Sequence, residues 1–266
     1  VDFIAIQGRR LEYQFEPTGA PVMVFLHEGL GSIAMWKDFP QACARNAGCD
    51  ALVYSRFGYG WSDPLDGQRR VDYMHHEALK TLPELLDQLR IERPILLGHS
   101  DGASIALIYA GGAGREVRGV IAMAPHVMVE PKGIAGIEAV TRDYQTSLRA
   151  KLARYHAHPD SAFRGWSDIW LSPEFRTWNI EEYVRRIACP VLAIQGVEDE
   201  YGTMEQLERI AKAAPQTEIL ALDGCGHAPH RDQTDAVCNA VNHLVTESYK
   251  NTCRTAQACV QPDKLR

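Results

Sequence analysis

Short apolar runs alternate with longer stretches of helical periodicity along most of this chain, and that alternation is the strongest limit on its fold. The runs at residues 21–27, 51–54, 94–98, 117–124, 190–195 and 218–222 are mostly continuous, as in strands covered on both faces. Between them, residues 35–47, 72–90, 103–110, 203–214 and the stretch ending near 245 read as helices. In the second of these, Leu79, Leu82, Leu85, Leu86 and Leu89 recur at helical spacing. Residues 3–6 and 11–15 alternate instead and predict an antiparallel pair turning near Gly8. Strand and helix in turn predict an α/β fold: a mostly parallel central sheet, right-handed crossovers, and helices on both faces.

The alternation stops between residues 127 and 186, which hold no convincing strand but crowd Phe163, Trp166, Trp170, Phe175 and Trp178 into their second half. This block reads as a helical insertion into one core formed by residues 1–126 and 187–250. Residues 251–266 lack periodicity and are expected to be a loosely held tail.

Charge and cysteine usage exclude several functions. A net charge of −6 and no lysine-rich stretch argue against nucleic acid and anionic lipid as partners. No apolar run approaches the length of a membrane span, and the start lacks signal-peptide order. It begins with Val1 and not Met, which fits a processed or trimmed start. The seven cysteines form no CxxC pair, and their odd number points to a reducing, cytoplasmic compartment, although Cys43/Cys49 and Cys253/Cys259 are each spaced to close a small loop. His75-His76, His156-x-His158 and His227-x-x-His230 lack a third converging ligand, so no metal is expected. Gly58-Tyr-Gly60 lacks the third glycine of a dinucleotide fingerprint, and no cofactor is expected either.

One motif carries chemistry. Gly98-His-Ser-Asp-Gly102 matches G-x-S-x-G between a predicted strand and a predicted helix, the context in which the serine projects from a tight turn. The alternative is a glycine-rich turn whose serine only caps the helix. A hydroxyl needs a base, and His227, in the loop after the last predicted strand, stands at the same sheet edge as Ser100 if the strands are parallel. Asp199, after the strand ending near Gln195, completes the order Ser, Asp, His, with Glu198 and Glu200 as flanking candidates. The backbone N–H groups of Gly29 and Asp101 are the expected oxyanion donors.

With these pieces in order, the chain resembles the α/β-hydrolase superfamily over about residues 3–245. The matching segments are Leu26-His-Glu-Gly-Leu-Gly-Ser32, Arg56-Phe-Gly-Tyr-Gly-Trp-Ser62, Gly98-His-Ser-Asp-Gly102, Gln195-Gly-Val-Glu-Asp199 and Gly226-His227. The resemblance implies the α/β-hydrolase fold, with the insertion as a helical cap over the site. It is closest to small capped serine esterases and carbon–carbon bond hydrolases. It departs in two places: Glu28 stands where the family usually has glycine, and Asp101 where an apolar residue is common. Both put acidic side chains near the site and suggest a substrate with a polar or cationic group. Trp166, Trp170 and Trp178 either line an apolar acyl or aryl pocket or hold the cap helices together; Trp61, Met128 and Glu28 are further pocket candidates.

The function these readings predict is hydrolysis of a carboxylic ester of a small apolar or aromatic molecule through Ser100, His227 and Asp199. Thioester cleavage, carbon–carbon bond hydrolysis, acyl transfer or a lyase reaction on the same scaffold are alternatives, as is a ligand-binding receptor. A monomer or homodimer is expected.

Overall fold

The structure, a computed structural model, describes residues 1–258, with side chains to residue 247. Its sheet is built from β1 (Asp2–Ile6), β2 (Arg9–Phe15), β3 (Val22–Leu26), β4 (Asp50–Ser55), β5 (Ile95–His99), β6 (Gly119–Met123), β7 (Val191–Gly196) and β8 (Thr217–Leu222). The strand order is β1-β2-β4-β3-β5-β6-β7-β8. Strand β2 is antiparallel to both neighbours, and β4 through β8 run parallel. The continuous apolar runs follow from this, because β3, β5, β6 and β7 are sandwiched between helices and nearly every residue in them is buried.

The helices are α1 (Phe39–Asn46), α2 (Tyr73–His76), α3 (Leu82–Gln88), α4 (Asp101–Gly112), α5 (Pro131–Asp143), α6 (Arg149–Leu152), α7 (Pro159–Leu171), α8 (Glu181–Val184), α9 (Glu205–Ala213), α10 (Pro229–Asp232) and α11 (Thr234–Ala258). Two cores result, one on each face of the sheet. Leu82, Leu85, Leu86 and the α4 residues Ile105–Tyr109 pack against one face. Trp36, Phe39, Val237 and Val241 pack against the other.

The structure corrects three helical expectations. The stretch expected over 35–47 is a 3-10 turn (Ile33–Trp36) followed by α1, broken at Lys37 with φ 55°. Pro40 sits in the first turn of α1, where its missing N–H costs nothing. The stretch over 72–90 contains a π turn at Glu77–Thr81 between α2 and α3. Pro83 has no amide and would crowd the carbonyl four residues back, so a wider turn before it relieves the clash. The last helix runs through residue 258, past the expected start of the tail; residues 259–266 lie outside the described residues.

Between β6 and β7 the regular elements are all helices, joined by turns, with one isolated bridge between Met128 and Asn179. Helices α5 and α7 pack together there, and Trp166 and Trp170, one turn apart on α7, point the same way. Cys43 and Cys49 are unpaired thiols.

Candidate active site

Ser100 is the residue between β5 and α4, with φ 54° and ψ −118°. That left-handed backbone is strained for a non-glycine residue and persists because the turn is overdetermined by its packing. A side chain at Gly102 would collide with the carbonyls of Leu26 and His27, so the elbow needs glycine there to press against the end of β3. The Ser100 amide donates to the Met123 carbonyl at 2.9 Å, tying the turn to the neighbouring strand.

Strands β7 and β8 deliver the other two groups. Asp199 follows β7 and is fully buried. His227 follows β8, and its Nδ1 lies 2.9 and 2.8 Å from the two Asp199 carboxylate oxygens. Asp199 is fixed on its other side by Gln195 Nε2 at 2.5 Å and by the amides of Tyr201 and Gly202 at 2.7 and 3.2 Å. Burial alone would raise the Asp199 carboxyl, but the hydrogen bond and charge of His227, the Tyr201 amide and His126 outweigh it and hold the group below the usual carboxylate range. With Nδ1–H given to Asp199, the Nε2 lone pair of His227 is left free. Glu198 and Glu200 do not compete for the imidazole: they accept from the backbone amides of Cys225 and His227.

Ser100 and His227 line one cavity of about 110 Å³ with Glu28, Gly29, Leu30, His126, Gly133, Ile137, Trp166, Trp170 and Tyr201. No hydrogen bond joins Ser100 Oγ to His227 among the described residues, a state common before substrate arrives. Nor does either the Gly29 or the Asp101 amide donate to another described residue. A side chain at Gly29 would run into the Trp166 ring, so glycine lets this loop lie flat under the insertion.

The structure redistributes the other sequence candidates. Trp61 is 52% exposed and does not reach the cavity. Met128 is also absent from its wall, its amide and carbonyl bound to the Gln206 side chain. Trp178 is stacked on Phe175, with centroids 5.2 Å apart, and holds the insertion together instead of meeting the cavity.

The Asp101 carboxylate is not offered to a substrate either. It is fully buried and accepts from Tyr73 Oη at 2.7 Å and Trp170 Nε1 at 3.2 Å, with Arg56 Nη1 3.7 Å away. Arg56, 1% exposed, also donates through Nη2 to the carbonyls of Glu28 at 2.8 Å and His27 at 3.3 Å. One guanidinium thus ties the loop at His27 and Glu28 to the start of α4. Nothing local in the sequence pairs positions 56 and 101.

Sequence reasoning also missed His126 and Tyr201. The signal was available: His126 stands just beyond a predicted strand and Tyr201 two residues past Asp199, both at the carboxyl edge where ligands bind in such sheets.

Burial controls the histidines around the site. It pushes His126 down to about 4, with help from the charge of His227. It pushes His230 down to about 3, with help from His99, and His27 well below its ordinary value. The unfolded chain binds protons on these rings from about pH 6.5 downward while the folded protein does not, so stability falls as pH drops through that window. The melting temperature is expected to fall by about 5–10 °C between pH 7 and pH 4.5, with the carboxylates Asp199 and Glu28 adding to the loss only at lower pH. A scan by calorimetry that is flat over that window would contradict the buried neutral histidines.

A sequence profile described as the Alpha/beta hydrolase family matches residues 23–240. The chain belongs to the alpha/beta hydrolase family. Proteins similar to it include a proline iminopeptidase from Saccharolobus solfataricus, 23% identical over 85% of each chain. A 2-hydroxy-6-oxononadienedioate/2-hydroxy-6-oxononatrienedioate hydrolase from Pseudomonas putida is 25% identical over 82% of this chain and 85% of that protein. Among solved structures, the enol-lactonase from Burkholderia xenovorans LB400 superposes with a TM-score of 0.72 at 20% identity, covering 92% of this chain and all of that one. The α/β-hydrolase fold and hydrolase chemistry are common ground; the bonds these relatives are named for cleaving differ. Among the described residues, no helix is long and apolar enough to cross a membrane.

Proposed function

We propose that this alpha/beta hydrolase is a serine hydrolase that cleaves carboxylic esters of small, apolar or aromatic molecules through an acyl-enzyme. The observation that carries the reading is the Asp199 carboxylate around His227 Nδ1, at 2.8 and 2.9 Å, with that imidazole lining the same cavity as a serine on a strained strand-to-helix turn.

In this mechanism Asp199 holds the His227 tautomer that leaves Nε2 unprotonated. His227 Nε2 takes the Ser100 proton as Oγ bonds to the ester carbonyl carbon, and the carbonyl electron pair moves to oxygen. The amides of Gly29 and Asp101 receive that oxyanion, aided by the N-terminus of α4. The tetrahedral adduct collapses, the carbon–oxygen bond to the alcohol breaks, and His227 returns the proton to the leaving oxygen. Water, deprotonated by the same imidazole, then attacks the acyl-enzyme and releases the acid. Helices α5 and α7 act as a cap, with Trp166, Trp170 and Ile137 forming its apolar lining.

Cavity size supports a short acyl group. About 110 Å³ is well under the roughly 300–1,000 Å³ of common ligand pockets, so a longer chain requires α5 or α7 to move. Treatment with a fluorophosphonate is expected to add its mass to the peptide carrying Ser100. In a p-nitrophenyl ester series, kcat/KM is expected to fall beyond butyrate by about tenfold or more. An unlabelled Ser100 in folded protein, with no ester hydrolysed, would defeat this reading.

A further inference from the structure

The cavity wall includes one charged side chain that the acyl-transfer steps do not use. Glu28 stands beside Gly29, and neither of its carboxylate oxygens accepts a hydrogen bond from a described residue. Room is made for it: a side chain at Gly31 would collide with the Glu28 carboxylate. Of the basic groups nearby, only His99 is turned towards it. His99 Nε2 donates to the His227 carbonyl at 2.6 Å, leaving Nδ1 to face Glu28 at 3.6 Å, beyond hydrogen-bond reach. His27 is occupied at both nitrogens, by the Glu28 carbonyl and the Arg56 amide, and burial keeps it and His230 neutral. The Arg56 guanidinium is turned to Asp101 and to two carbonyls. Burial works against the charge on Glu28, yet the contact and charge of His99 outweigh it and hold its carboxyl well below the ordinary range.

A carboxylate one residue before an oxyanion donor is awkward for a neutral ester, because it opposes the negative charge that the reaction creates there. A positive charge carried by the substrate reverses the penalty, since it is attracted both to Glu28 and to the developing oxyanion. The remaining wall suits such a group: the rings of Trp166, Trp170 and Tyr201 line the same small space, and aromatic faces attract desolvated cations. We propose that Glu28 and these three rings form a subsite for a positively charged nitrogen, primary or quaternary ammonium, placed a few bonds from the scissile carbonyl of the substrate. This rests on the hydrolase reading above and names the substrate class within it.

Matched substrate pairs test the subsite. Glycine methyl ester against methyl propionate places the charge on the acyl side; acetylcholine against 3,3-dimethylbutyl acetate places it on the alcohol side. After correction for each ester's rate with hydroxide, the cationic member of at least one pair is expected to be favoured in kcat/KM by about tenfold or more. That ratio is expected to fall towards one in Glu28→Gln and to stay above one in Glu28→Asp, which keeps the charge. A wild-type ratio near one in both pairs overturns the proposal whether or not the variants fold. So does a preference that survives in Glu28→Gln, or turnover of p-nitrophenyl acetate with neither member of either pair cleaved. If no ester is cleaved and Ser100 resists the fluorophosphonate, the hydrolase reading fails separately. Calorimetry with tetramethylammonium then decides the subsite: binding in the millimolar range that is lost in Glu28→Gln supports it, and no binding to the wild type overturns it.

Discussion

Ser100→Ala is expected to lower kcat on p-nitrophenyl acetate by about 10⁵–10⁶-fold, and Asp199→Asn by about 10⁴-fold. The two losses have different causes. Alanine removes the atom that bonds to the carbonyl carbon, leaving only the cavity and its amides to assist water. Asparagine keeps the shape at position 199 but presents an amide nitrogen or an uncharged oxygen to His227 Nδ1, which it now approaches at 2.8 and 2.9 Å as a carboxylate. The imidazole then loses both the tautomer that frees Nε2 and the charge that stabilises imidazolium. Gln195 and the amides of Tyr201 and Gly202 reach the Asp199 carboxylate too, so the side chain at 199 stays in place and the effect is on chemistry more than on folding. Because the residues act as a unit, the double variant should be little slower than Ser100→Ala alone. Losses that multiply, or an Asp199→Asn variant within tenfold of the wild type, would contradict a triad.

The second large effect is on stability. Arg56→Met is expected to destabilise the fold by about 3–5 kcal/mol, read from urea unfolding. Arg56 and Asp101 are both 1% exposed in their side chains, with 3.7 Å between the charged atoms. Removing the guanidinium leaves the Asp101 carboxylate buried with only the Tyr73 hydroxyl and the Trp170 indole to oppose its charge. The Glu28 and His27 carbonyls lose a donor as well. Removing both charges, as in Arg56→Met with Asp101→Leu, takes away the uncompensated ion and should be less destabilised than the two single changes added together. A cost for Arg56→Met below about 1 kcal/mol would show that the pair does not carry the buried charge balance described here.

How much of this was readable from the chain depended on distance along it. The elbow at Ser100, the histidine after β8 and the aspartate after β7 were legible because strand ends and glycine turns are local patterns. A parallel sheet then brings all strand ends to one edge. Chain order could not separate Asp199 from Glu198 and Glu200; the hydrogen bonds, which send those glutamates to backbone amides, make the distinction. The tryptophans separated by helical phase. Trp166 and Trp170 are four residues apart on α7 and reach the cavity together, whereas Trp178 follows a 3-10 turn and stacks on Phe175. The place of the Asp101 side chain was not legible for the opposite reason, since its neutralising partner lies far away in sequence.

The order of elements and the residues standing at their carboxyl ends were determined by the chain alone, because apolar periodicity, proline and glycine act over a few residues. The tertiary structure decided which acidic side chain is left facing the cavity. Glu28 and Asp101 look alike as departures from the family pattern, but Asp101 turns inward to Arg56, Tyr73 and Trp170 while Glu28 lines the cavity without a hydrogen-bond donor. That difference comes from burial and charge pairing between segments distant in the chain, and only packing brings those segments together.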